Sequence, residues 1–290
     1  MLWKEEFKRN FFNIKTILLL VILIFIGLAS IYFSYQNKQE YIKTYESNFE
    51  DINKNAMFNL IQNYNGIKFN LDFMLSSDFI DIYIIVLLLF SGIFLSSHII
   101  DMIDNGQVNL LLSRTSYKKH LVATLKAQAL YIFTIICITM FIILITGFIV
   151  GGYGNGFCYI GEYKITIISL IPICIYQILI TSVNIIMINF LSLLLCYCIN
   201  KKILIQLLPF LGFTILPMII SSTIGNIITP LGKISALFVP FRNLKNLYWI
   251  LQFKFDFIEI LFTILPYITY VTIFILFYNK NTRKYSEDCI

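Results

Sequence analysis

Residues Asp101 to Lys126 read DMIDNGQVNLLLSRTSYKKHLVATLK and form a polar, basic island between two long apolar segments. An acidic turn that ends in glycine comes first, a short run of leucines follows, and a cluster of Lys and Arg comes last. Basic residues in short segments beside apolar spans are typical of the cytoplasmic loops of membrane proteins. The island therefore predicts a membrane span on each side of it and a cytoplasmic position for itself.

The composition of the whole chain points the same way. The 290 residues are 58% hydrophobic and 13% charged, whereas soluble proteins average about 45–50% apolar and about 25% charged residues. We therefore expect an all-α polytopic protein of the cell membrane. The net charge of +6 does not indicate a nucleic-acid partner, because the basic residues cluster beside apolar segments, where the positive-inside rule places them.

Six apolar segments are long enough to cross about 30 Å of hydrocarbon at about 1.5 Å per residue. Within a membrane domain of residues 15–290, the predicted transmembrane helices cover residues 16–35, 79–100, 127–150, 176–199, 203–220 and 258–278. Pro172 predicts a break in the apolar run 165–200, so that a short interfacial helix precedes the fourth span. Segments 36–78 and 221–257 then lie outside the cell, and residues 101–126 form a cytoplasmic loop. More than half of the 22 Lys and Arg residues fall in the short inner segments, which predicts that both termini are cytoplasmic.

Residues 1–14 precede the first span and are expected to form an amphipathic interfacial helix. Trp3, Phe7 and Phe11 are spaced four apart, which places them in one row along a helix. The Lys, Arg and Glu side chains of the segment turn away from that row, as in helices that lie on a membrane surface. An alternative interpretation is a charged cap on the first span.

Sequence motifs for catalysis or for cofactor binding are missing. The nearest approach to a phosphate-binding loop, residues 225–234, has six residues between its glycines instead of four, and it has Ile where Ser or Thr is required. The two histidines, His98 and His120, belong to no H-E-x-x-H motif, so neither is predicted to bind a metal ion. We expect a chain that is not an enzyme and that binds no cofactor or metal itself.

Uncharged polar residues inside the apolar segments are the candidates for a substrate path. Gln177, Thr181 and Asn184 follow one another at i, i+4 and i+7 and so share one face of the fourth predicted span. Ser91 and His98 share a face of the second span, although bulky apolar residues occupy the turn between them. The alternative for both sets is hydrogen bonding between helices, worth about 1 kcal/mol per bond.

The order of motifs within the island is the most specific signal in the chain. The order is Asp104-Asn105-Gly106, then the apolar run Val108 to Leu112, then Ser113-Arg114, then Lys118-Lys119, and finally Lys126. It resembles the loop after the second span of type-2 ATP-binding-cassette (ABC) exporter permeases. The six predicted spans, the N-terminal surface helix and the short basic tail are similar to the same family. Gln107 and Thr115 stand where the family usually has Thr and Pro.

The resemblance implies a permease subunit of an ABC exporter. In that family the loop forms a short coupling helix that docks into a separate cytoplasmic ATPase subunit, which binds the ATP and the Mg²⁺. The residues that the resemblance assigns to this coupling are Asp104, Gly106, Leu110, Leu111, Leu112, Ser113, Arg114 and Lys118. The three leucines are the implied apolar anchor, and the charged side chains are implied to fix the orientation. The alternative is a plain positively charged cytoplasmic loop.

The resemblance also implies that the permease forms a homodimer, or pairs with a similar chain, among membrane lipids. The implied cargo is amphipathic, such as a peptide, a lipid or a drug, since chains of this size resemble peptide-export and bacteriocin-immunity permeases. Two functions of other classes stay open, namely a non-transporting membrane sensor or assembly protein, and a proton-coupled carrier. A carrier would depend on Asp81 or Glu259, which both lie at the predicted outer ends of spans.

Overall fold

Long helices dominate the computed structural model of the chain. It describes residues 2–47, 58, 61–76, 78–106, 116–160, 163–196, 202–211, 268 and 271–281. The helices are α1 (Leu2–Phe11), α2 (Ile14–Ser47), α3 (Gly66–Leu71), α4 (Asp78–Asp104), α5 (Tyr117–Gly151), α6 (Ile167–Cys196) and α7 (Lys202–Phe210). A π-helical turn, Asp72–Ser76, continues α3, and residues 271–281 are also helical. An antiparallel hairpin of β1 (Phe157–Ile160) and β2 (Tyr163–Thr166) precedes α6.

Four helices, α2, α4, α5 and α6, are long and apolar enough to cross a membrane. They contain the first three predicted spans and most of the fourth, so the described part of the chain is a helical membrane protein. The fifth predicted span, 203–220, is described only as far as residue 211, and the sixth, 258–278, only at residue 268 and from 271. Six spans therefore stay a prediction. Segment 221–257 lies outside the described residues.

The predicted break at Pro172 is wrong, because a single helix runs from Ile167 to Cys196 with Pro172 inside it. The start of this helix is fixed by a reciprocal cap, in which the Thr166 N–H donates to Ser169 Oγ (2.8 Å) and the Ser169 N–H donates to Thr166 Oγ1 (3.4 Å). Pro172 lies in the second turn and removes only one backbone hydrogen bond there. The residues expected to form a short interfacial helix before position 176 are the first turns of α6, and the β1–β2 hairpin precedes them.

The chain divides into two compact units. The first unit consists of Met1–Thr16, Leu87–Phe133 and Ile180–Ile290, and the second consists of Ile17–Val86 and Thr134–Leu179. Each of the four long helices contributes one of its ends to each unit.

The second unit is built on close backbone contact between α3 and α5. The Gly66 N–H donates to the Gly152 carbonyl (2.8 Å), and the Asn70 amide donates to the carbonyls of Gly66 (2.8 Å) and Leu144 (3.3 Å). Asn65 caps α3, since its Oδ1 accepts from two N–H groups of the first turn, while its Nδ2 donates to the Phe157 carbonyl (2.7 Å). Part of the predicted outer segment 36–78 is therefore firmly packed.

The first unit contains an apolar core at the helix ends nearest the island, which we call the basal cluster. Its members are Ile100 and Met102 on α4, Tyr117 and Leu121 on α5, Leu193, Leu194, Leu195 and Cys196 on α6, and Ile205 on α7. Phe274, Phe277 and Tyr278 pack against it from the helical residues 271–281. The Asn281 amide donates to the Leu194 carbonyl (3.0 Å), so this last described helix is tied to α6.

Candidate functional site

A line of buried and partly buried polar side chains runs through the first unit, and we call it the polar seam. Its members are Thr181, Asn184, Asn189 and Ser192 on α6, Ser91 and Ser97 on α4, and Gln206 on α7. The four α6 side chains are 1–3% exposed. Polar groups are costly in an apolar interior unless they are hydrogen-bonded, so their partners decide what the seam can do.

Two hydrogen bonds join the helices across the seam. The Asn189 amide donates to Ser91 Oγ (3.1 Å) and to the Ile185 carbonyl on its own helix (2.8 Å). The Gln206 amide donates to Ser97 Oγ (2.7 Å). These bonds connect α6 and α7 to α4, as expected for polar residues between membrane helices.

The seam also has buried polar atoms that the described residues leave unsatisfied. Asn189 Oδ1 and Thr181 Oγ1 are both fully buried, and neither has a hydrogen-bond partner among the described residues. A buried polar atom without a partner typically costs about 1–3 kcal/mol. Among the described residues, these two oxygen atoms therefore keep an unused capacity to accept hydrogen bonds.

The predicted substrate-path residues fall into three groups. Gln177, Thr181 and Asn184 are 4%, 1% and 2% exposed, so the polar face of α6 is turned into the protein. Ser91 joins the seam through Asn189. The side chain of His98 lies outside the described residues.

Sequence reasoning missed Asn189, Ser97 and Gln206. A signal for Asn189 was present, because a lone asparagine inside a long apolar run has to find a partner. Gln206 and Ser97 are 109 positions apart in the chain, and no local pattern links them.

Replacing Asn189 by leucine is expected to change the free energy of unfolding by no more than about 1 kcal/mol. The change removes the unsatisfied Oδ1, and Ser91 keeps its bond to the Leu88 carbonyl (3.3 Å), so no new unsatisfied donor is created. The matched control is Asn65→Leu, which removes a helix cap and three hydrogen bonds at once and should cost about 2 kcal/mol or more. Thermal unfolding in detergent compares the two variants. Equal losses of stability would show that the Asn189 amide contributes as much to the fold as the Asn65 amide does.

The two described ends of the island are helical. α4 continues to Asp104 and is followed by a turn at Gly106, whose φ of +68° is typical of a glycine just after a helix C-terminus. α5 begins at Tyr117, ten residues before the predicted third span, with Ser116 accepting the first backbone bond from His120 (3.1 Å). The predicted loop 101–126 is therefore a shorter connection between two helix ends.

The predicted coupling residues divide between described and undescribed parts. Asp104 and Lys118 are exposed at the end of α4 and in the first turn of α5, and Gly106 lies in the turn after Asp104. The other five, Leu110, Leu111, Leu112, Ser113 and Arg114, lie outside the described residues. The structure thus shows how the ends of the island are held.

The basal cluster holds those ends. Ile100 and Met102 lie one turn before the end of α4, and Tyr117 and Leu121 open α5, so both ends are buried against α6 and α7. Lys202 Nζ lies 2.6 Å from Asp101 Oδ1, but both side chains are about half exposed, and such ion pairs contribute about 0–1 kcal/mol. Apolar packing is the main attachment.

Helix α1 is a separate helix in the first unit, and its attachment to α5 is partly polar. Phe7 and Phe11 stack with ring centroids 5.5 Å apart, as the predicted apolar row requires. The Thr124 hydroxyl donates to a Glu6 carboxylate oxygen (3.3 Å). Burial raises the pKa of Glu6, while the Thr124 bond and the charge of Arg9 act in the opposite direction.

Comparison of the chain with protein-family models, with curated proteins and with solved structures gives no match. The class that the fold defines is that of helical membrane proteins. Among the described residues, no group of three His, Cys, Asp or Glu side chains could hold a metal ion. The seam and the ends of the island are therefore the two places from which a function can be argued.

Proposed function

We propose that this chain is the membrane permease subunit of an ABC exporter, with both termini in the cytoplasm. A separate ATPase subunit supplies the energy, binds the ATP and the Mg²⁺, and docks on the island 101–126. The permease pairs with a second copy or with a similar chain, and it moves an amphipathic substrate such as a peptide, a lipid or a drug.

One observation carries the proposal, namely that α4 belongs to both the island and the polar seam within the first unit. α4 carries Ser91 and Ser97 of the seam and ends at Asp104 in the island. α6 carries four of the seam side chains, and its last turn lies in the basal cluster that holds both ends of the island. A force applied to the island therefore reaches the seam directly along α4, and it reaches α6 through the basal cluster.

The side chains of the island suit docking of the ATPase, and those of the polar seam suit contact with a substrate. The exposed Asp104 and Lys118 mark the two ends of the island with opposite charges, which suits orientation of a docked partner. The run Leu110 to Leu112 supplies an apolar anchor. In the seam, Asn189 Oδ1 and Thr181 Oγ1 can accept hydrogen bonds from a passing amide or hydroxyl group.

The proposal is tested by copurification of the full chain with candidate ABC ATPase subunits, starting with any that a neighbouring gene encodes. The wild-type chain should retain the ATPase in detergent, and a Leu111→Asp, Arg114→Glu double variant should lose it, because the variant puts a charge into the apolar anchor and reverses the sign of a docking contact. Lys43→Glu, at an exposed cation on α2 outside the island, is the control and should retain the ATPase.

Retention by the double variant would contradict the docking role of the island. If neither the wild type nor the control retains an ATPase, the island is only a topological signal, and the non-transporting sensor or assembly protein becomes the better hypothesis.

A further inference from the structure

A cavity of about 230 Å³ lies in the first unit where α1 turns into α2. Arg9, Asn10, Asn13 and Lys15 line it from the turn, and Phe94 and Asp101 are among the residues that line it from α4. Its volume is that of about eight water molecules in the liquid, enough for a phosphate group with a glycerol unit.

The turn is held in a fixed shape by hydrogen bonds. Thr16 Oγ1 donates to the Asn10 carbonyl (2.7 Å) and lies 3.0 Å from the Tyr131 hydroxyl on α5, where both groups are buried. Asn13 Oδ1 accepts from the Lys15 N–H (3.1 Å) and caps α2. A cavity whose walls are already ordered loses little entropy when a ligand binds.

The charges around the cavity favour an anion. Arg9 and Lys15 are both exposed cations on its wall. The one carboxylate on the wall, Asp101, lies 2.6 Å from Lys202 Nζ, so its charge is already compensated. Glu6 attracts Arg9 along the same helix but does not line the cavity.

The surroundings favour the headgroup of a lipid over a free anion. Lys15 is followed at once by the long apolar stretch of α2, so the cavity lies where that helix begins to be apolar. The Lys15 ammonium lies 5.8 Å from the centre of the Phe94 ring, which gives the cavity an apolar wall beside its cations. Basic side chains at the ends of membrane helices are placed to meet phosphate groups of the bilayer.

We propose that this cavity binds the phosphate headgroup of an anionic phospholipid, with Arg9 and Lys15 as its charge partners and Asn10 and Asn13 as amide donors. The site fixes the turn between α1 and α2 to the membrane surface. It goes beyond the proposed transport function and does not depend on it.

The test measures binding of short-chain phosphatidylglycerol to the purified full chain in detergent, with short-chain phosphatidylcholine and inorganic phosphate as the comparison ligands. We expect phosphatidylglycerol to bind at least about tenfold more tightly than either, and an Arg9→Gln, Lys15→Gln double variant to lose at least about tenfold in affinity, because two charge-assisted contacts are removed. Lys4→Gln, Lys8→Gln is the matched control, since it removes two exposed cations of α1 that do not line the cavity and should bind as the wild type does.

Equal affinity of the wild type and the Arg9, Lys15 variant would overturn the proposal, and so would an equal loss in the Lys4, Lys8 control. Tight binding of inorganic phosphate would overturn the lipid assignment. If the double variant does not fold, Lys15→Gln alone is compared with Lys15→Arg. The first should weaken binding of phosphatidylglycerol and the second should restore it.

Discussion

Replacing Gly151 by alanine is expected to destabilise the folded protein strongly. A Cβ at this position would lie 2.5 Å from the nitrogen of Gly66 and 2.8 Å from the carbonyl carbon of Asn65. These are backbone atoms and cannot rotate away, so α3 would have to move off α5. That movement would stretch the Gly66–Gly152 backbone bond and the bond from the Asn70 amide to the Leu144 carbonyl. We expect a cost of about 3 kcal/mol or more, a large share of the roughly 5–15 kcal/mol that stabilise a typical protein.

The fraction of monodisperse protein in gel filtration and the midpoint of thermal unfolding measure this loss. Gly92→Ala is the matched control, because the nearest atom to a Cβ there is Asn189 Oδ1 at 3.6 Å, which is an ordinary contact. The control should fold as the wild type does. Similar midpoints for the two variants would show that α3 can leave α5 without loss of the fold.

Replacing Leu121 by alanine is expected to leave docking of the ATPase intact but to weaken the stimulation of ATP hydrolysis by the permease. Leu121 is fully buried in the basal cluster, one turn into α5, and its truncation leaves a cavity that typically costs about 2–5 kcal/mol. The surface of the island is untouched, so the ATPase should still be retained. The stimulation of its ATP hydrolysis by the permease should fall at least about fivefold, because the two island ends lose their rigid support.

Val122→Ala is the control for this experiment. Val122 follows directly in the chain but is 38% exposed, so its truncation leaves no buried cavity. Stimulation should persist in that variant. If both variants stimulate the ATPase equally well, the basal cluster does not transmit force, and if Leu121→Ala also loses the ATPase, the cluster shapes the docking surface itself.

The long helices could be predicted because an apolar run of 18 or more residues has few alternatives to a membrane helix. The inward face of α6 could be predicted as well, since Gln177, Thr181 and Asn184 are spaced as neighbours on a helix and a polar stripe avoids lipid. Helix ends were less predictable. Hydropathy marks where a segment stops being apolar, whereas α5 starts ten residues before the predicted span, after Ser116, whose carbonyl accepts the first backbone bond of the helix.

The remaining differences between the predicted and the observed structure come from interactions between distant parts of the chain. The hairpin before α6 is held by the Asn65 amide, which donates to Phe157 over 92 positions. The helix through Pro172 depends on a cap of two small hydroxyl side chains, Thr166 and Ser169, which resemble ordinary loop residues in the sequence. The docking role of Leu110 to Arg114 stays a prediction, since those residues lie outside the described ones.

The length of α2 has a mechanical consequence. Its 34 residues measure about 51 Å along the axis, whereas the hydrocarbon layer is about 30 Å thick. Its first residues are fastened by Thr16, which is bonded to Asn10 and contacts Tyr131. The difference of about 20 Å leaves roughly a dozen residues of the helix beyond a layer of that thickness. Towards the far end, Tyr41 packs against Tyr64 (ring centroids 5.3 Å apart) and Tyr45 against Phe58 (6.4 Å), so α2 is a continuous rigid strut that is held by side-chain contacts near both of its ends.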